Sequence, residues 1–151
     1  MKDKILEVRA IKDGTVIDHI PATSLFKVIS ILNLDTINKK ITFGTNLESK
    51  KLGLKAIIKL SEIFFLDKDI NKIALVAPEA KLNIIKNYEV VEKKVVEVPD
   101  AIISIVKCMN PQCITNEENI TTRFKVVSKK PVKLKCYYCE KITDQEQAVI
   151  I

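Results

Sequence analysis

The sequence has few of the residues on which enzyme active sites usually depend. It contains one histidine, His19, and only three glycines among its 151 residues. None of the glycines stands in a G-x-x-x-x-G-K-[ST] or G-x-G-x-x-G motif, which excludes a glycine-rich phosphate-binding loop. No G-x-S-x-G motif accompanies His19, and a histidine at a strand end is more often structural. We therefore expect a chain that is not itself an enzyme.

Tryptophan is absent and arginine is scarce, which bears on nucleic-acid binding. The net charge of +6 comes almost wholly from lysines scattered among acidic residues, because Arg9 and Arg123 are the only arginines. Aromatic residues make up 5% of the chain, so few side chains are available to stack on bases. We expect no nucleic-acid partner, although a zinc-ribbon protein that binds nucleic acid is the alternative.

Long apolar runs are also missing. No stretch approaches the about 18 uninterrupted apolar residues that a membrane-spanning helix needs. The N-terminal Met1-Lys2-Asp3-Lys4 lacks the apolar core and cleavage site of a signal peptide. We expect a cytoplasmic protein without a membrane partner.

Cysteine does not occur before residue 108, and the four cysteines then come in two close pairs. The spacings Cys108-x4-Cys113 and Cys136-x2-Cys139 fit four thiolates around one tetrahedral metal, most typically zinc. Four protein ligands leave no open position for water or substrate, so one structural Zn²⁺ per chain is predicted. The alternative is two disulfides, which would close loops too short to constrain the unfolded chain strongly.

Strand and helix patterns alternate through the first two thirds of the chain. The predicted elements are a strand at 6–11, a helix at 22–32, strands at 40–45 and 54–64, a helix capped by Asp67 or Asp69 and ended by Pro78, and strands at 82–85 and 90–98, while the segment at 15–20 leads from the first strand to Pro21. In the strand at 54–64, Lys55 and Lys59 share a face opposite Ile58. This order predicts a ferredoxin-like α+β fold, an antiparallel sheet with two helices on one face and one strand added.

The dipeptide Pro99-Asp100 marks the predicted domain boundary. It separates a domain at residues 1–98 from a domain at residues 99–151 that contains all four cysteines. Strands predicted at 102–107, 122–127 and 132–135 make the second domain a small all-β zinc-binding unit.

Three segments of the sequence carry a resemblance to a known family. They read AIKDGTVIDHIPA at 10–22, NYEVV at 87–91 and LKCYYCE at 134–140. Together they resemble the regulatory chain of aspartate carbamoyltransferase, in the same order and spacing over the whole length. The resemblance implies an allosteric domain that binds CTP or ATP, and a zinc domain that docks on the catalytic chain. It further implies regulatory homodimers, three of which join two catalytic trimers, and control of pyrimidine biosynthesis.

The resemblance also assigns roles to individual residues. The implied effector pocket is lined by Val8, Ala10, Ile11, Val16, Asp18, His19, Lys55, Lys59, Ile85, Tyr88, Val90 and Lys93. Lys59 and Lys93 are the implied triphosphate ligands, with Lys55 in support, and Asp18 is an acceptor for ribose hydroxyls or ring amino groups. Backbone groups near Ile11 and Tyr88 would then distinguish pyrimidine from purine.

In the zinc domain, the resemblance places Asn110 and Glu140 at the interface with the catalytic chain. Both residues stand immediately beside the cysteine pairs. For Asn110 the alternative is a purely local role, in which it stabilises the loop between Cys108 and Cys113.

Overall fold

The computed structural model describes residues 9–151 and begins with a five-stranded antiparallel sheet. Its strands are β1 (Gly14–Pro21), β2 (Ile41–Ser49), β3 (Gly53–Ser61), β4 (Lys81–Lys86) and β5 (Glu89–Val95). Their order across the sheet is β2-β3-β1-β4-β5. Four of these strands have the ferredoxin-like arrangement, and β5 is the added strand at the edge beside β4, which confirms the predicted fold class.

One face of this sheet is buried by the two helical segments. Ile17 pairs with Ile58 on β3 and with Leu82 on β4, and all three side chains are fully buried. Helix α1 (Leu25–Ile31) contributes its buried residues to the same core. Helix α2 (Asp67–Ile70) continues as a 3-10 helix at Asn71–Leu75, and its buried residues, Ile70, Ile73, Ala74 and Leu75, join them. These helical segments do not cover the opposite face of the sheet, to which Lys55, Ile57 and Lys59 of β3 point, as the alternation in β3 predicts.

The beginning of the described chain differs from the prediction. Residues 6–8 of the strand predicted at 6–11 lie outside the described residues, and residues 9–11 are not in a strand. β1 begins instead at Gly14, whose φ is 142°. A Cβ atom at Gly14 would collide with the carbonyl oxygen of Leu60, so only glycine fits where β1 enters the sheet.

Both predicted helices form, but their starts differ from the prediction. The first begins as a 3-10 turn at Ala22–Ser24 before it becomes α1. Neither aspartate caps α2, because its N-cap position is Leu66 and no side chain caps it. The Asp67 carboxylate accepts a hydrogen bond from Lys94 Nζ at 2.8 Å instead, since β5 passes beside the start of the helix.

The C-terminal part consists of short strands around the cysteines. The strands are β6 (Ala101–Ile103), β7 (Val106–Lys107), β8 (Arg123–Lys129), β9 (Val132–Cys136), β10 (Ile142–Asp144) and β11 (Val149–Ile150), with one short helix, α3 (Ile114–Glu117). The single strand predicted at 102–107 is wrong, because Ser104 adopts a left-handed φ of 58° and divides it. β6 then pairs with β8, and β7 pairs with β11.

The last strand contacts both halves of the chain. β11 lies beside α1 and pairs with β7, which leads directly to Cys108. The backbone N–H of Ile151 donates to the Ile105 carbonyl at 2.9 Å, and Ala148 is buried. Among the helices of residues 9–151, none has the length and apolar character needed to cross a bilayer.

Candidate functional sites

The four cysteines come together as the sequence predicts, and their geometry is that of a metal centre. All four sulfur atoms lie within 4.8 Å of one another. The Sγ atoms of Cys108 and Cys139 are 3.6 Å apart, and those of Cys113 and Cys136 are 3.7 Å apart. A tetrahedral site with metal–sulfur bonds of about 2.3 Å requires sulfurs about 3.8 Å apart, whereas a disulfide requires about 2.05 Å. The cysteines are free, so the structure has a metal-binding cluster in place of the two disulfides.

Each cysteine pair sits in a tight turn that aims two sulfurs at one point. The first pair follows β7 and ends at the start of α3, while the second begins at the end of β9. In the second turn the Glu140 N–H donates to the Cys136 carbonyl at 3.0 Å, and the Cys136 N–H donates to the Lys141 carbonyl at 3.0 Å. Glu140 adopts a left-handed φ of 64°, which closes the turn and leaves its side chain exposed.

The pKa values of the thiols differ strongly within the cluster. Burial raises the pKa of Cys108 to about 12, because a thiolate there loses its hydration and faces other sulfurs. Burial also acts to raise the pKa of Cys139, but hydrogen bonds from the Lys141 backbone and the Asn110 side chain outweigh it and bring the pKa to about 7. A divalent cation would supply the positive charge that four converging thiolates need.

Asn110 is part of the first turn. Its Oδ1 accepts from the Gln112 N–H at 3.1 Å, and its carbonyl accepts from the Cys113 N–H at 3.0 Å. The local role that the sequence left open for Asn110 is therefore present in the structure. Its side chain also hydrogen-bonds the Cys139 sulfur, so it touches both cysteine pairs.

Exposed apolar side chains surround the cysteine pairs, and the sequence analysis missed them. Met109, Ile114 and Tyr137 are 44%, 42% and 69% exposed although each adjoins a cysteine in sequence. The Arg123 guanidinium lies 5.8 Å from the centre of the Tyr137 ring, and Tyr138 contacts that ring edge-on. The signal that could have identified them is the placement of apolar residues directly beside the cysteines in the sequence. At a core position such side chains would be buried. An exposed cluster of this kind is typical of a protein–protein contact surface.

A second candidate site lies on the face of the five-stranded sheet that the helices leave open; we call it the open face. Strand register aligns five residues in one row across it, in the order Thr42, Lys59, Val16, Asn83 and Lys93, and we call this row the central row. Directly paired residues of antiparallel strands point to the same side, so these side chains share the open face. Lys59 and Lys93 are three strand spacings apart, about 14 Å between backbones. Their long side chains can converge on an anion between them.

A bulge in β1 shapes the middle of the open face. Ile17 pairs with Ile58 and Ile20 pairs with Ala56, so Asp18 and His19 together oppose a single residue of β3. His19 has a left-handed φ of 61°, as a residue in a bulge can. The bulge thus turns two adjacent polar side chains out of the regular alternation.

Asp18 is already bonded within this site. Its Oδ1 accepts from Lys55 Nζ at 2.9 Å and from the His19 N–H at 2.6 Å. The Nδ1 atom of His19 lies 3.6 Å from Asp18 Oδ2, and it is buried without a hydrogen-bond partner among residues 9–151. Much of the Lys55 charge is therefore balanced by Asp18.

The hairpin between β4 and β5 brings Tyr88 against the segment before β1. Asn87 and Tyr88 both have positive φ, 55° and 66°, as a two-residue type I′ turn requires. The Tyr88 N–H donates to the Lys12 carbonyl at 2.9 Å, and the Asn87 N–H donates to Asp13 Oδ1 at 3.0 Å. The segments to which the sequence assigned base selection, near Ile11 and Tyr88, are thus neighbours in space.

The remaining predicted pocket residues fall around the same edge of the open face. Ile85 pairs with Gly14 on one side and with Val90 on the other. Ala10 is exposed just before β1, and Val8 lies outside the described residues. Ile85 and Val90 therefore lie at the Tyr88 edge of the open face, whereas Ala10 and Ile11 precede β1 and are not part of the sheet.

Two further residues of the open face were not predicted. Asn83 stands between Val16 and Lys93 in the central row, and Lys81 pairs with Asp18 across the β1–β4 boundary. Asn83 is a polar residue between the buried Leu82 and the half-buried Ile84, and that interruption of an apolar run is the signal that could have identified it.

The charges of the open face perturb each other. Burial lowers the pKa of Lys59, and the nearby Asp18 carboxylate opposes that shift only in part. Burial acts to raise the pKa of Asp18, but the bonds from Lys55 and the His19 N–H outweigh it and hold the pKa below its usual value. A bound anion would therefore stabilise the charged form of Lys59.

Comparison with known proteins agrees with this division into two sites. Residues 6–97 match the family model described as aspartate carbamoyltransferase regulatory chain, allosteric domain. Residues 100–149 match the model for the metal binding domain of the same regulatory chain. The open face lies in the first match and the cysteine cluster in the second.

Full-length relatives carry the same name. A protein of Bacteroides fragilis named aspartate carbamoyltransferase regulatory chain is 55% identical over 146 residues, covering 97% of this chain and 95% of its own. Regulatory chains of Pyrococcus horikoshii and Thermococcus sibiricus are each 53% identical, over 94% and 97% of this chain and 95% and 97% of their own. The chain belongs to the family of aspartate carbamoyltransferase regulatory chains, the non-catalytic subunits of that enzyme.

Proposed function

We propose that this chain binds CTP and ATP on the open face and transmits their effect to a catalytic chain of aspartate carbamoyltransferase, thereby controlling pyrimidine biosynthesis. The observation that carries this proposal is the central row, in which strand register directs Lys59, Asn83 and Lys93 to the face opposite the helices. A face with separated lysines and no nucleophile suits reversible binding of a polyanion.

The triphosphate is bound by Lys59 and Lys93. Lys93 is exposed and Lys59 is half-buried. Because they lie on opposite sides of Val16 in the central row, their ammonium groups approach an anion from two sides. Ammonium groups act as point charges on flexible stems, which suits a polyphosphate of variable conformation. Asn83, between them, adds an amide donor.

The nucleoside lies toward the bulge and the hairpin. Asp18, although bonded to Lys55, retains acceptor capacity at Oδ2 for ribose hydroxyls. Tyr88 is 66% exposed beside Ile11, which gives the base an aromatic edge and nearby backbone groups. Ile85 and Val90 provide apolar contact next to it.

The metal of the cysteine cluster is one structural Zn²⁺. Cys108, Cys113, Cys136 and Cys139 would hold it, and the ion would supply the cross-link that orders the two turns. The turns then present Asn110, Glu140 and the exposed Met109, Ile114 and Tyr137 to the catalytic chain. Asn110 serves both roles, because its main-chain and side-chain bonds fix the surface that it presents.

The assembly follows from the family. Regulatory homodimers, three in number, join two catalytic trimers in the cytoplasm, without a nucleic-acid or membrane partner. We divide the chain into an allosteric domain at 1–98 and a zinc domain at 99–151. The effector signal passes from the sheet through α1 to β11, and from there along β7 to Cys108. Coupling of this kind between ligand sites is typically about 1–3 kcal/mol.

Neighbouring lysines on opposite faces of β5 provide a matched test. Lys93 points to the open face, whereas Lys94 points to the helix side and bonds Asp67. We expect Lys93→Ala to weaken CTP binding, measured by titration calorimetry, by about tenfold or more, since a bond to a charged group is worth about 1.5–3 kcal/mol. Lys94→Ala removes the same charge and should leave the affinity within about twofold. Equal losses in both variants would contradict a site on the open face.

Glu140 allows docking to be tested apart from metal binding. Because its φ is 64°, Glu140→Gly relieves backbone strain while it removes the side chain. We expect this variant to bind zinc as the wild type does and to bind catalytic trimers more weakly in analytical ultracentrifugation. Unchanged assembly would remove Glu140 from the interface.

A further inference from the structure

The first cysteine turn is held closed by a side chain that neither the resemblance nor the metal geometry singles out. Asn116, in α3, donates through Nδ2 to the Cys108 carbonyl at 2.9 Å and to the Asn110 carbonyl at 2.8 Å. These two carbonyls flank Met109. One amide group therefore ties together the start and the middle of the turn that runs to Cys113.

The position of Asn116 is itself fixed by the turn that it closes. Its backbone N–H donates to the Cys113 carbonyl at 2.9 Å, and its side chain is half-buried. The preceding residue, Thr115, donates through Oγ1 to the Cys113 sulfur at 3.2 Å. Two adjacent side chains of α3 thus serve the first cysteine pair, one through the backbone and one through a sulfur.

The chemistry of these contacts matters for a thiolate site. An amide with two N–H donors is the neutral group that can satisfy two carbonyls at once, and a carboxylate in its place would repel both. A hydroxyl that donates to the sulfur of a metal ligand helps to fix the direction in which that sulfur points. Residues that orient metal ligands typically change metal affinity by about 10- to 100-fold when they are replaced.

We propose that Asn116 is a positioning residue of the metal site, which holds Cys108 and Cys113 at the separation that the ion requires, with the Thr115 hydroxyl orienting the Cys113 sulfur. The same bonds fix Met109 and Asn110 on the docking surface. This role rests on the proposed zinc site, and it makes α3 the element that links metal retention to the shape of that surface.

The test compares two identical chemical changes three residues apart. Asn116→Asp and Asn119→Asp each replace one amide by a carboxylate, and Asn119 is exposed. With the full-length chain, zinc transfer to a chromogenic chelator is followed at equilibrium and over time. We expect Asn116→Asp to weaken zinc binding by about 10- to 100-fold, and Asn119→Asp to remain within about twofold of the wild type.

Two further variants keep the test decisive if Asn116→Asp does not fold. Asn116→Ser removes the bridging amide without adding charge, and it should also speed zinc release. Thr115→Val should weaken zinc binding, whereas Thr115→Ser, which retains the hydroxyl, should restore it.

The outcomes separate this role from the zinc assignment. Zinc release at the wild-type rate from both Asn116 variants would overturn the positioning role while leaving the zinc site intact. Elemental analysis of the wild-type chain comes first, because a chain that binds no zinc would overturn the zinc assignment and this role with it.

Discussion

The two sites of this chain are built in opposite ways. The open face collects residues that are distant in sequence, such as Val16, Lys59 and Lys93, through the register of a sheet whose other side is a dry core. The metal centre collects four cysteines from two short turns, whose sulfurs crowd within 4.8 Å. Hydrophobic burial builds the first site before any ligand binds, whereas four thiolates at the second would repel one another without a bound cation.

Removal of the metal should separate the two regions most strongly. We expect chelation, or Cys136→Ser, to unfold residues 101–150 and to release catalytic trimers, because binding energies of structural zinc are about 10–16 kcal/mol in small modules. Hydrogen exchange read by mass spectrometry should show lost protection there and retained protection in β1, β3 and β4. Protection that persists at β8 and β9 without metal would show that the C-terminal strands fold on apolar packing alone.

A core substitution in the sheet should have the reverse pattern. Ile58 is fully buried beneath α1, and Ile58→Ala should destabilise the N-terminal region by about 2–5 kcal/mol in denaturant unfolding. Zinc binding should not change. Ile57→Ala, one residue away on the open face, provides the control and should cost less, since Ile57 is only half-buried. Equal costs would mean that the open face is covered in solution.

The affinity for nucleotide should depend on the protonation of Lys59. Because burial lowers its pKa, an anion bound beside it should raise that pKa, and binding should be accompanied by proton uptake. The affinity for CTP should therefore fall as the pH rises from about 8 to about 10. Lys59→Arg remains charged throughout this range and should flatten the profile. The same slope in both proteins would contradict a role for Lys59 in binding the phosphates.

The smallest expected effect concerns acid stability of the open face. The pKa of Asp18 lies below its value in the unfolded chain, so its ionised form stabilises the fold above about pH 3.9. That contribution is lost as the pH falls through the lower pKa of the folded state. Asp18→Asn should thus lose less unfolding free energy than the wild type between pH 7 and pH 3. Asp35→Asn, at an exposed carboxyl, should follow the wild type.

The parts of the structure that sequence patterns predict are those set by local rules. The cysteine spacing identifies the metal cluster because each turn must present two sulfurs within a few residues. The alternation in β3 assigns Lys55 and Lys59 to the face opposite Ile58, because side-chain direction in a strand has a period of two. Helix and strand order then gives the ferredoxin-like arrangement.

The features that were missed depend on contacts between distant segments. Asp67 is the first residue of α2 and not its N-cap, and its carboxylate accepts a hydrogen bond from Lys94 of β5. The strand predicted at 102–107 is divided at Ser104, whose N–H donates to the Thr122 carbonyl at 2.9 Å. Asn83 joins the central row only through its register with Val16 and Lys93. A one-residue change of register would turn it to the other face, and the sequence of β4 alone does not set that register.

The most direct test of this account is an aspartate saturation curve for the cognate catalytic trimer. It would be recorded with and without the zinc-loaded chain, each with and without CTP. We predict a CTP-dependent shift of the curve only when the chain is present, and its loss with Lys93→Ala but not with Lys94→Ala. Curves that do not respond to CTP in the presence of the wild-type chain would contradict allosteric control through the open face.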